Sequence, residues 1–482
     1  MAYRFGNRNQ VGLFPQSIEE YVPEDDPVRA YDAFVEALDF CDLDIKINPY
    51  KVGNSEYDPR TMLKLLVYGY SYGVKSSRKL ERECHHNISF IWLMGGLKPD
   101  HKTIAEFRRN NKKSLKKVLR HCVRICIKLN LISGNVLFVD GTKIRANAGR
   151  GNSHDQAYYE KLLMKIDSRI DQLITECEAT DRSEEGTASY IRMEKELAQS
   201  RNLKERVREA LNCFTSEDKK KVNQTDPDCA ILKSIQGSHA GYNVQTVVDD
   251  EHGLIIHSEA VSDTNDLQQF ARQIDQANEL LQKPCEAACA DAGYANTTEL
   301  AKIDEQGITV IVPSKQQASS QEEGPFSKSH FKYDEELDCY ICPEGHSLSY
   351  YNTDWQTGKR RYRANKKDCS ACRYYGQCTE AKCGRTIARL PNEKLKLKLE
   401  AQYQEASSQS IYARRKTRVE HPFGHIKRNL KTDAFHLRGQ QGVQAETSLL
   451  AACFNIVRMM TIIGVSGLIK KLAGIRMVSA AC

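Results

Sequence analysis

The sequence predicts an α/β protein in which a mixed sheet flanked by helices follows an N-terminal all-helical region. Three observations lead to this prediction. Apolar residues recur at helical intervals up to about Leu131, short β-like runs begin at Val136, and helical periodicity returns after Leu390. The length of 482 residues is enough for about three domains of ordinary size.

Composition excludes several classes of protein. Hydrophobic residues make up 40% and charged residues 28% of the chain, which is ordinary globular usage and unlike a disordered or polytopic membrane protein. No apolar stretch of signal-peptide length opens the sequence. The most apolar segment, Thr447 to Ile469, is interrupted by Asn455 and Arg458, which predicts a buried amphipathic helix rather than a membrane span. We therefore expect a cytoplasmic protein.

Residues 1–131 read as helices that could bind DNA. Asp58 and Pro59 supply the N-cap and first turn of one helix, and Thr103 is expected to begin another. A basic run without one acidic residue follows, comprising Arg108, Arg109, Lys112, Lys113, Lys116, Lys117 and Arg120. Such a run is most often a solvated helix face, but a DNA backbone would also use it. We expect DNA contacts from this run and from Arg78 and Lys79.

The β pattern starts after residue 131. The runs VLFVD and TKIRAN come first, YNVQTVVDD and LIIHSEAV flank a later turn, and ACADAGY and ITVIVPSK are separated by a short helix of βαβ type. Between them, residues 153–221 are polar with helical spacing and predict an inserted helical hairpin. We assign a sheet-bearing core to residues 132–315 and 391–482.

Residues 330–390 form a cysteine-rich insertion that resembles a zinc ribbon. Cys339 and Cys342 form one Cys-x2-Cys pair, and Cys369 and Cys372 form another. Two such pairs can complete a tetrahedral four-thiolate zinc site, which leaves no position for water and is therefore structural. Cys378 is a substitute ligand and Cys383 the weakest candidate. Surface thiols without a metal are the alternative.

Three carboxylates are candidates for the chemistry. Asp140 and Asp291 each end an apolar strand, and Glu420 lies in a basic stretch that contains Arg414, Arg415 and Lys427. Taken singly, they predict a hairpin turn, a helix cap and a surface ion pair. Taken together, they can converge at one edge of the sheet and hold two Mg²⁺ or Mn²⁺ ions for in-line phosphoryl transfer. The three neighbouring cations would then bind DNA phosphates.

Several blocks of the sequence resemble those of a known protein family. The blocks VDGTKIRANAG, GYNVQTVVD, ADAGYAN and RRKTRVEHPFGHIKRNL resemble the core of the DDE transposases of bacterial insertion sequences, and residues 58–109 resemble the helical domain before that core. With the cysteine pairs between the second aspartate and the glutamate, the chain is most similar to the group named insertion sequence eleven-eighty-two. The resemblance covers nearly the whole chain, in the order of the family.

The resemblance implies a ribonuclease-H-like core in which Asp140, Asp291 and Glu420 bind the catalytic metal ions. It implies cleavage of double-stranded DNA at the terminal inverted repeats, followed by strand transfer into target DNA. The protein would act as a homodimer on the bacterial nucleoid. Neither a membrane nor a small-molecule substrate would be involved. Residues 153–221 or the C-terminal apolar helix would supply the dimer interface. In related groups a Tyr-x2-Arg-x3-Glu-x6-Lys signature surrounds the glutamate. Lys427 stands at the position of the signature's lysine. Arg415 lies one residue further upstream of the glutamate than the signature's arginine, so Tyr412 and Arg415 are only candidates for the tyrosine and arginine roles.

Two other functions remain open at this stage. A protein that still binds the element ends without cutting them would act as a repressor, and a lost carboxylate would mark it. A nuclease of the same fold would use the same triad without joining DNA. All three carboxylates are present, which favours the transposase.

Overall fold

The computed structural model describes residues 17–47, 56–183, 187–217, 219–234, 237–319 and 324–475. Contacts divide the chain into two compact units. Unit one comprises Met1–Asp266, Arg272–Cys285 and Arg414–Cys482, and unit two comprises Leu267–Ala271 and Glu286–Ala413. The three-domain division of the sequence stays a prediction.

The N-terminal region of unit one is helical, as predicted. Its helices are α1 (Pro27–Glu36), α2 (Pro59–Ser71), α3 (Ser77–His86), α4 (Ile88–Leu93), α5 (His101–Asn110), α6 (Lys112–Lys116) and α7 (Val118–Lys128). The Asp58 carboxylate caps α2 by accepting the Arg60 N–H at 3.0 Å, which confirms that start. The expected start at Thr103 is wrong, because the Asp100 carboxylate caps α5 by accepting the Thr103 N–H at 2.7 Å.

The sheet of unit one is antiparallel. Its strands are β1 (Val136–Arg145), β4 (Ala230–Ser234), β5 (Gly237–Asp249) and β6 (Ile255–Val261). One edge of β5 pairs with β1, and the other pairs first with β4 and then with β6. The β1–β5 register runs without a break from Leu137 opposite Asp249 to Arg145 opposite Gly241. Asp140 therefore lies in the middle of a strand, and the expectations that it ends a strand or opens a hairpin turn are both wrong.

A helical hairpin interrupts this sheet in the chain. Helices α8 (Gln156–Ser183) and α9 (Thr187–Glu217) leave and return through the short paired strands β2 (Ser153–His154) and β3 (Val222–Asn223). Tyr159, Ile166 and Val207 belong to a small buried cluster of the hairpin. The expected insertion of two helices is thus present.

The C-terminal part of the chain is helical and packs against β6 and the N-terminal helices. The segment expected as one helix consists of α15 (Gly439–Ile463) and α16 (Val465–Ile475), separated by Gly464 with a φ of 76°. Within the described part of the chain, α15 is the one helix long and apolar enough to cross a membrane, and 67% of its most apolar window is buried inside the protein. This burial is what the sequence predicts for the segment.

Two amides of α15 bond to the backbone of β6. The side chain of Asn455 accepts the N–H of Ile255 and donates to its carbonyl, both at 2.8 Å. Gln444 accepts the N–H of Ala260 at 2.9 Å and donates to the carbonyl of Ser258 at 2.8 Å. These amides satisfy buried backbone groups at the edge of β6 that would otherwise lack partners.

Unit two contains the βαβ element that the sequence predicts and a second sheet. Strands β7 (Ala287–Cys289) and β8 (Thr309–Ile311) are parallel, with α11 (Thr297–Asp304) between them. The second sheet is antiparallel, in the order β13-β12-β11-β10-β9. The remaining elements are β9 (Lys332–Asp334), β10 (Cys339–Ile341), β11 (Ser347–Asp354), β12 (Lys359–Ala364), α12 (Lys366–Ala371), β13 (Thr386–Arg389) and α13 (Glu393–Gln404).

Two helices have residues in both units. These are α10 (Phe270–Leu281) and α14 (Ala406–Gly424). Pro422 lies inside α14, and a π-helical turn, His425–Asn429, follows directly. The sequence predicts a kink or a helix start at Pro422, because a proline disfavours helical geometry at the residue before it. No helix starts there, since α14 continues through the proline, and the kink stays a prediction.

Candidate active site

The centre of β1 carries the first candidate carboxylate. Leu137, Phe138 and Val139 before it are fully buried, whereas the Asp140 side chain is 20% exposed. Its Oδ1 accepts the N–H of Gly141 at 2.8 Å, and its Oδ2 lies 3.5 Å from Nη1 of Arg415. The strand thus holds a half-buried carboxylate against a guanidinium group from α14.

The segment that bears Glu420 is attached to β1 on both sides. Five residues before Glu420, Arg415 faces Asp140. Seven residues after it, Lys427 Nζ donates to Thr142 Oγ1 at 2.6 Å. Burial lowers the pKa of Lys427, so this ammonium is held in a partly desolvated position beside the strand. The two contacts fix the glutamate-bearing segment along the part of β1 that contains Asp140.

Glu420 itself is exposed. The neighbouring arginines pair elsewhere, because Arg414 contacts Asp250 at 2.7 Å and Arg418 contacts the same carboxylate at 3.4 Å. Within the described residues Glu420 forms no ion pair. The structure therefore does not show the surface ion pair that was the alternative explanation for this glutamate.

Asp291 belongs to unit two and follows β7. Its carboxylate accepts the N–H of Gly293 at 2.8 Å and caps the short 3-10 turn Ala292–Tyr294. Asp291 thus caps this turn, whereas α11, the helix that the sequence offered as the alternative target of the cap, is capped by Asn296. Since a cap engages one oxygen of the carboxylate, a catalytic role for Asp291 stays a prediction.

A basic cleft of about 710 Å³ adjoins Asp140 in unit one. The residues that line it are Gly141, Thr142, Lys143, Arg145, Lys233, His239, Asn243, Asp266, Lys427 and Asp433. Lysines and arginines outnumber carboxylates here by four to two. Burial, followed by the charge of Arg145, lowers the pKa of His239. Excess positive charge in a concave site attracts polyanions such as DNA.

Asp266 is a residue of this cleft that the sequence analysis missed. Its Oδ1 accepts Nδ2 of Asn243 at 2.7 Å and Nε2 of Gln245 at 2.6 Å. In the register of the sheet, Gln245 lies opposite Gly141. The sequence pattern that could have indicated a residue such as Asp266 is Asn243-x-Gln245. It places two amides on one face of β5, and buried amides need polar partners.

A side chain at Gly141 is expected to displace a buried hydrogen-bonded group. A Cβ there would lie 2.5 Å from Nε2 of Gln245 and 2.9 Å from Oδ1 of Asp266. We expect Gly141→Ala to lower the free energy of unfolding by about 1–3 kcal/mol, since the amide–carboxylate group must move. Denaturant unfolding followed by circular dichroism measures this change. Gly149→Ala is the control, because nothing lies within 4 Å of its added Cβ. Equal stability of the two variants would show that Gln245 and Asp266 do not restrict this position.

The predicted DNA contacts of the helical region lie in different environments. Exposed cations are Arg78, Lys79, Arg109, Lys113 and Lys116, whereas Lys112 is half-buried. Lys117 pairs with Asp44. Arg108 is buried and donates to the carbonyl of Lys75 at 2.8 Å, so its guanidinium stabilises the packing of the helices. The basic run is also divided among α5, α6 and α7 and is not one helix face.

The cysteine-rich segment brings four thiols to one cavity of about 40 Å³. They belong to Cys342, Cys369, Cys372 and Cys378. Burial raises the pKa of the Cys378 thiol, and the charges of the other three raise it further, against the charge of Arg385. Cys339 is buried in β10 outside this lining, and Cys383 is exposed. Among the described residues, no three His, Cys, Asp or Glu side chains form a group that could hold a metal ion as they stand.

Two models of known protein families match parts of the chain. Residues 16–110 match a transposase domain, DUF772, and residues 341–460 match a transposase DDE domain. These matches identify a DDE transposase. Neither a curated protein nor a solved structure matches the transposase. The DDE match includes Glu420 but neither aspartate, and the insertion sequence eleven-eighty-two group is consistent with the matches but stays a prediction.

Proposed function

We propose that this transposase belongs to a bacterial insertion sequence, whose terminal inverted repeats it binds, cuts and joins to target DNA. The observation that carries the proposal is the half-buried Asp140 carboxylate facing Arg415 at the border of a basic cleft. A ribonuclease-H-like core is part of the proposal, because the antiparallel strands β1, β5 and β6 are followed along the chain by the parallel pair β7 and β8.

DDE transposases generally use divalent metal ions, and the candidate carboxylates suit them. Carboxylate oxygens are hard ligands for Mg²⁺ or Mn²⁺, and Arg415 already holds a cationic group against Asp140. We propose Asp140 and Glu420 as metal ligands, with Asp291 as the third from the family resemblance. Two bound ions would activate the attacking oxygen and neutralise charge on the phosphate.

The residues of the cleft would position the DNA. In the cutting step a water oxygen bonds to phosphorus, the P–O3′ bond breaks, and the 3′ oxygen takes up a proton. In the joining step that 3′-hydroxyl attacks a target phosphate in the same way. Arg415, displaced from Asp140, would pair with the phosphate, and Lys143 and Arg145 would contact flanking phosphates.

The proposal also includes the helical region and a second copy of the chain. The exposed cations Arg78, Lys79, Arg109, Lys113 and Lys116 are the residues that we propose for binding the terminal repeats. A homodimer would bring two element ends together.

The test is a reaction of purified protein with Mg²⁺ and labelled DNA that carries the ends of the source element. We expect cleavage and joined products from the wild type. Glu420→Gln should lower cleavage by at least about 100-fold without weakening DNA binding. Glu279→Gln, at an exposed position of α10, should leave the reaction unchanged.

The other outcomes point to the alternatives. Binding without any cleavage by the wild type would favour the repressor, and cleavage without joined products would favour the nuclease. Cleavage that survives in Glu420→Gln would remove Glu420 from the proposed metal site.

A further inference from the structure

The four thiols around one cavity in unit two are a different set from the two Cys-x2-Cys pairs. Cys342, Cys369, Cys372 and Cys378 line the cavity together with apolar residues such as Phe331 and Leu348. Three of the four also pack against the small core of the five-stranded sheet. Four thiols in a mostly apolar setting make the donor set of a structural zinc site.

The backbone around Cys342 forms a tight turn that presents its sulfur. The N–H of Cys342 donates to the carbonyl of His346 at 2.9 Å, and the N–H of Gly345 donates to the carbonyl of Cys342 at 2.8 Å. Gly345 adopts a φ of 83°, which a glycine accepts without strain. The N–H of His346 donates to the Cys342 sulfur at 3.3 Å. A hydrogen bond of this kind holds a ligand sulfur in position.

The other three thiols come from the region around α12. Asn365 caps this helix by accepting the N–H of Lys367 at 3.0 Å, and the N–H of Cys372 donates to the carbonyl of Cys369 at 3.2 Å. The Cys369 sulfur accepts the N–H of Arg385 at 3.4 Å. The capped helix α12 thus positions the thiols of Cys369 and Cys372, and the Cys369 sulfur accepts a backbone N–H.

Strand alternation separates Cys339 from this set. Cys339 and Ile341 lie on one face of β10, and Tyr340 and the following Cys342 lie on the other. Tyr340 belongs to the small core, against which Cys342 also packs. The Cys339 side chain therefore points away from the other thiols. Cys383 is exposed and does not line the cavity.

We propose that Cys342, Cys369, Cys372 and Cys378 bind one zinc ion. Binding forms four Zn–S bonds and releases the four thiol protons to solvent. The cysteine side chains must rotate to meet the ion, because they do not form a coordination group as they stand. The ion stabilises a sheet whose core holds few buried residues, namely Phe331, Tyr340, Leu348, Tyr362, Ala364 and Ile387. This proposal is independent of the catalytic carboxylates.

The experiment measures the zinc content of full-length protein purified with added zinc, by plasma mass spectrometry. We expect one zinc per chain in the wild type and in the Cys339→Ser and Cys383→Ser controls. Single serine variants at the four proposed ligands should lose most of it. A chain without zinc overturns the proposal. Zinc that is lost in Cys339→Ser but retained in Cys378→Ser also overturns it, in favour of the two sequence pairs.

A second measurement avoids variants that fail to fold. The wild-type protein is alkylated with iodoacetamide before and after removal of metal by a chelator, and the modified cysteines are located by peptide mass spectrometry. We expect the four proposed ligands to gain label after chelation while labelling of exposed Cys383 stays unchanged. Equal labelling of the four before and after chelation would overturn the proposal.

Discussion

Replacing Asp140 by asparagine is expected to reduce metal-dependent DNA cleavage by at least about 10³-fold and to leave DNA binding intact. The amide has the size of the carboxylate and can still accept the N–H of Gly141, so β1 keeps its register. It carries no charge, and it is a poor ligand for Mg²⁺ in place of a carboxylate. The variant also removes a negative charge from beside Arg415, which supports the expectation that binding of the phosphate backbone is retained.

The measurement is the single-turnover cleavage rate of a labelled element end at saturating protein. A thermal shift with Mn²⁺ gives an independent readout, because an ion that binds only the folded state raises the melting temperature. We expect this rise in the wild type and a smaller one in Asp140→Asn. The control is Asp275→Asn at an exposed position of α10. An unchanged cleavage rate in Asp140→Asn would contradict the assignment of this carboxylate.

The largest effect on stability is expected for Asn455→Leu, which should lower the free energy of unfolding by about 3–4 kcal/mol. Asn455 is fully buried in α15, and its amide satisfies both the N–H and the carbonyl of Ile255. Leucine has the same number of side-chain heavy atoms with the same branching, so the variant removes two hydrogen bonds without opening a cavity. Both backbone groups of Ile255 then remain buried without a partner.

Guanidinium unfolding followed by far-ultraviolet circular dichroism measures this change. Thr461→Ala on the same helix is the matched control, because Thr461 is exposed and its hydroxyl bonds only to the carbonyl of Val457 within the helix. We expect the control to change stability by less than about 0.5 kcal/mol. If both variants unfold at the wild-type midpoint, the amide does not contribute to the stability of β6.

Local signals in the sequence predicted many elements of the fold correctly. Asp58 and Pro59 mark the start of α2, because capping depends on neighbours along the chain. The β runs around Gly253 and the βαβ element were also predicted, since apolar alternation and turn residues are local features. The helical hairpin followed from its polar helical spacing.

Features that depend on contacts across the fold could not be predicted in this way. Asp140-Gly141 has the residues of a hairpin turn, yet the glycine serves the close approach of Gln245 from the neighbouring strand. Arg108 looked like part of a surface charge run, but its partner, the carbonyl of Lys75, is distant in sequence. Spacing likewise paired Cys339 with Cys342, whereas strand alternation separates their side chains.

The amides of α15 also limit how copies of the chain can associate. An open strand edge is a template on which another chain can add a strand. Along β6 the backbone groups of Ile255, Ser258 and Ala260 already bond to Asn455 and Gln444, so these positions cannot recruit a strand from a second copy. The apolar surface of α15 is likewise used within its own chain. Two regions were expected to supply a dimer interface, the helical hairpin and the C-terminal apolar helix. The hairpin is therefore the better candidate for the interface.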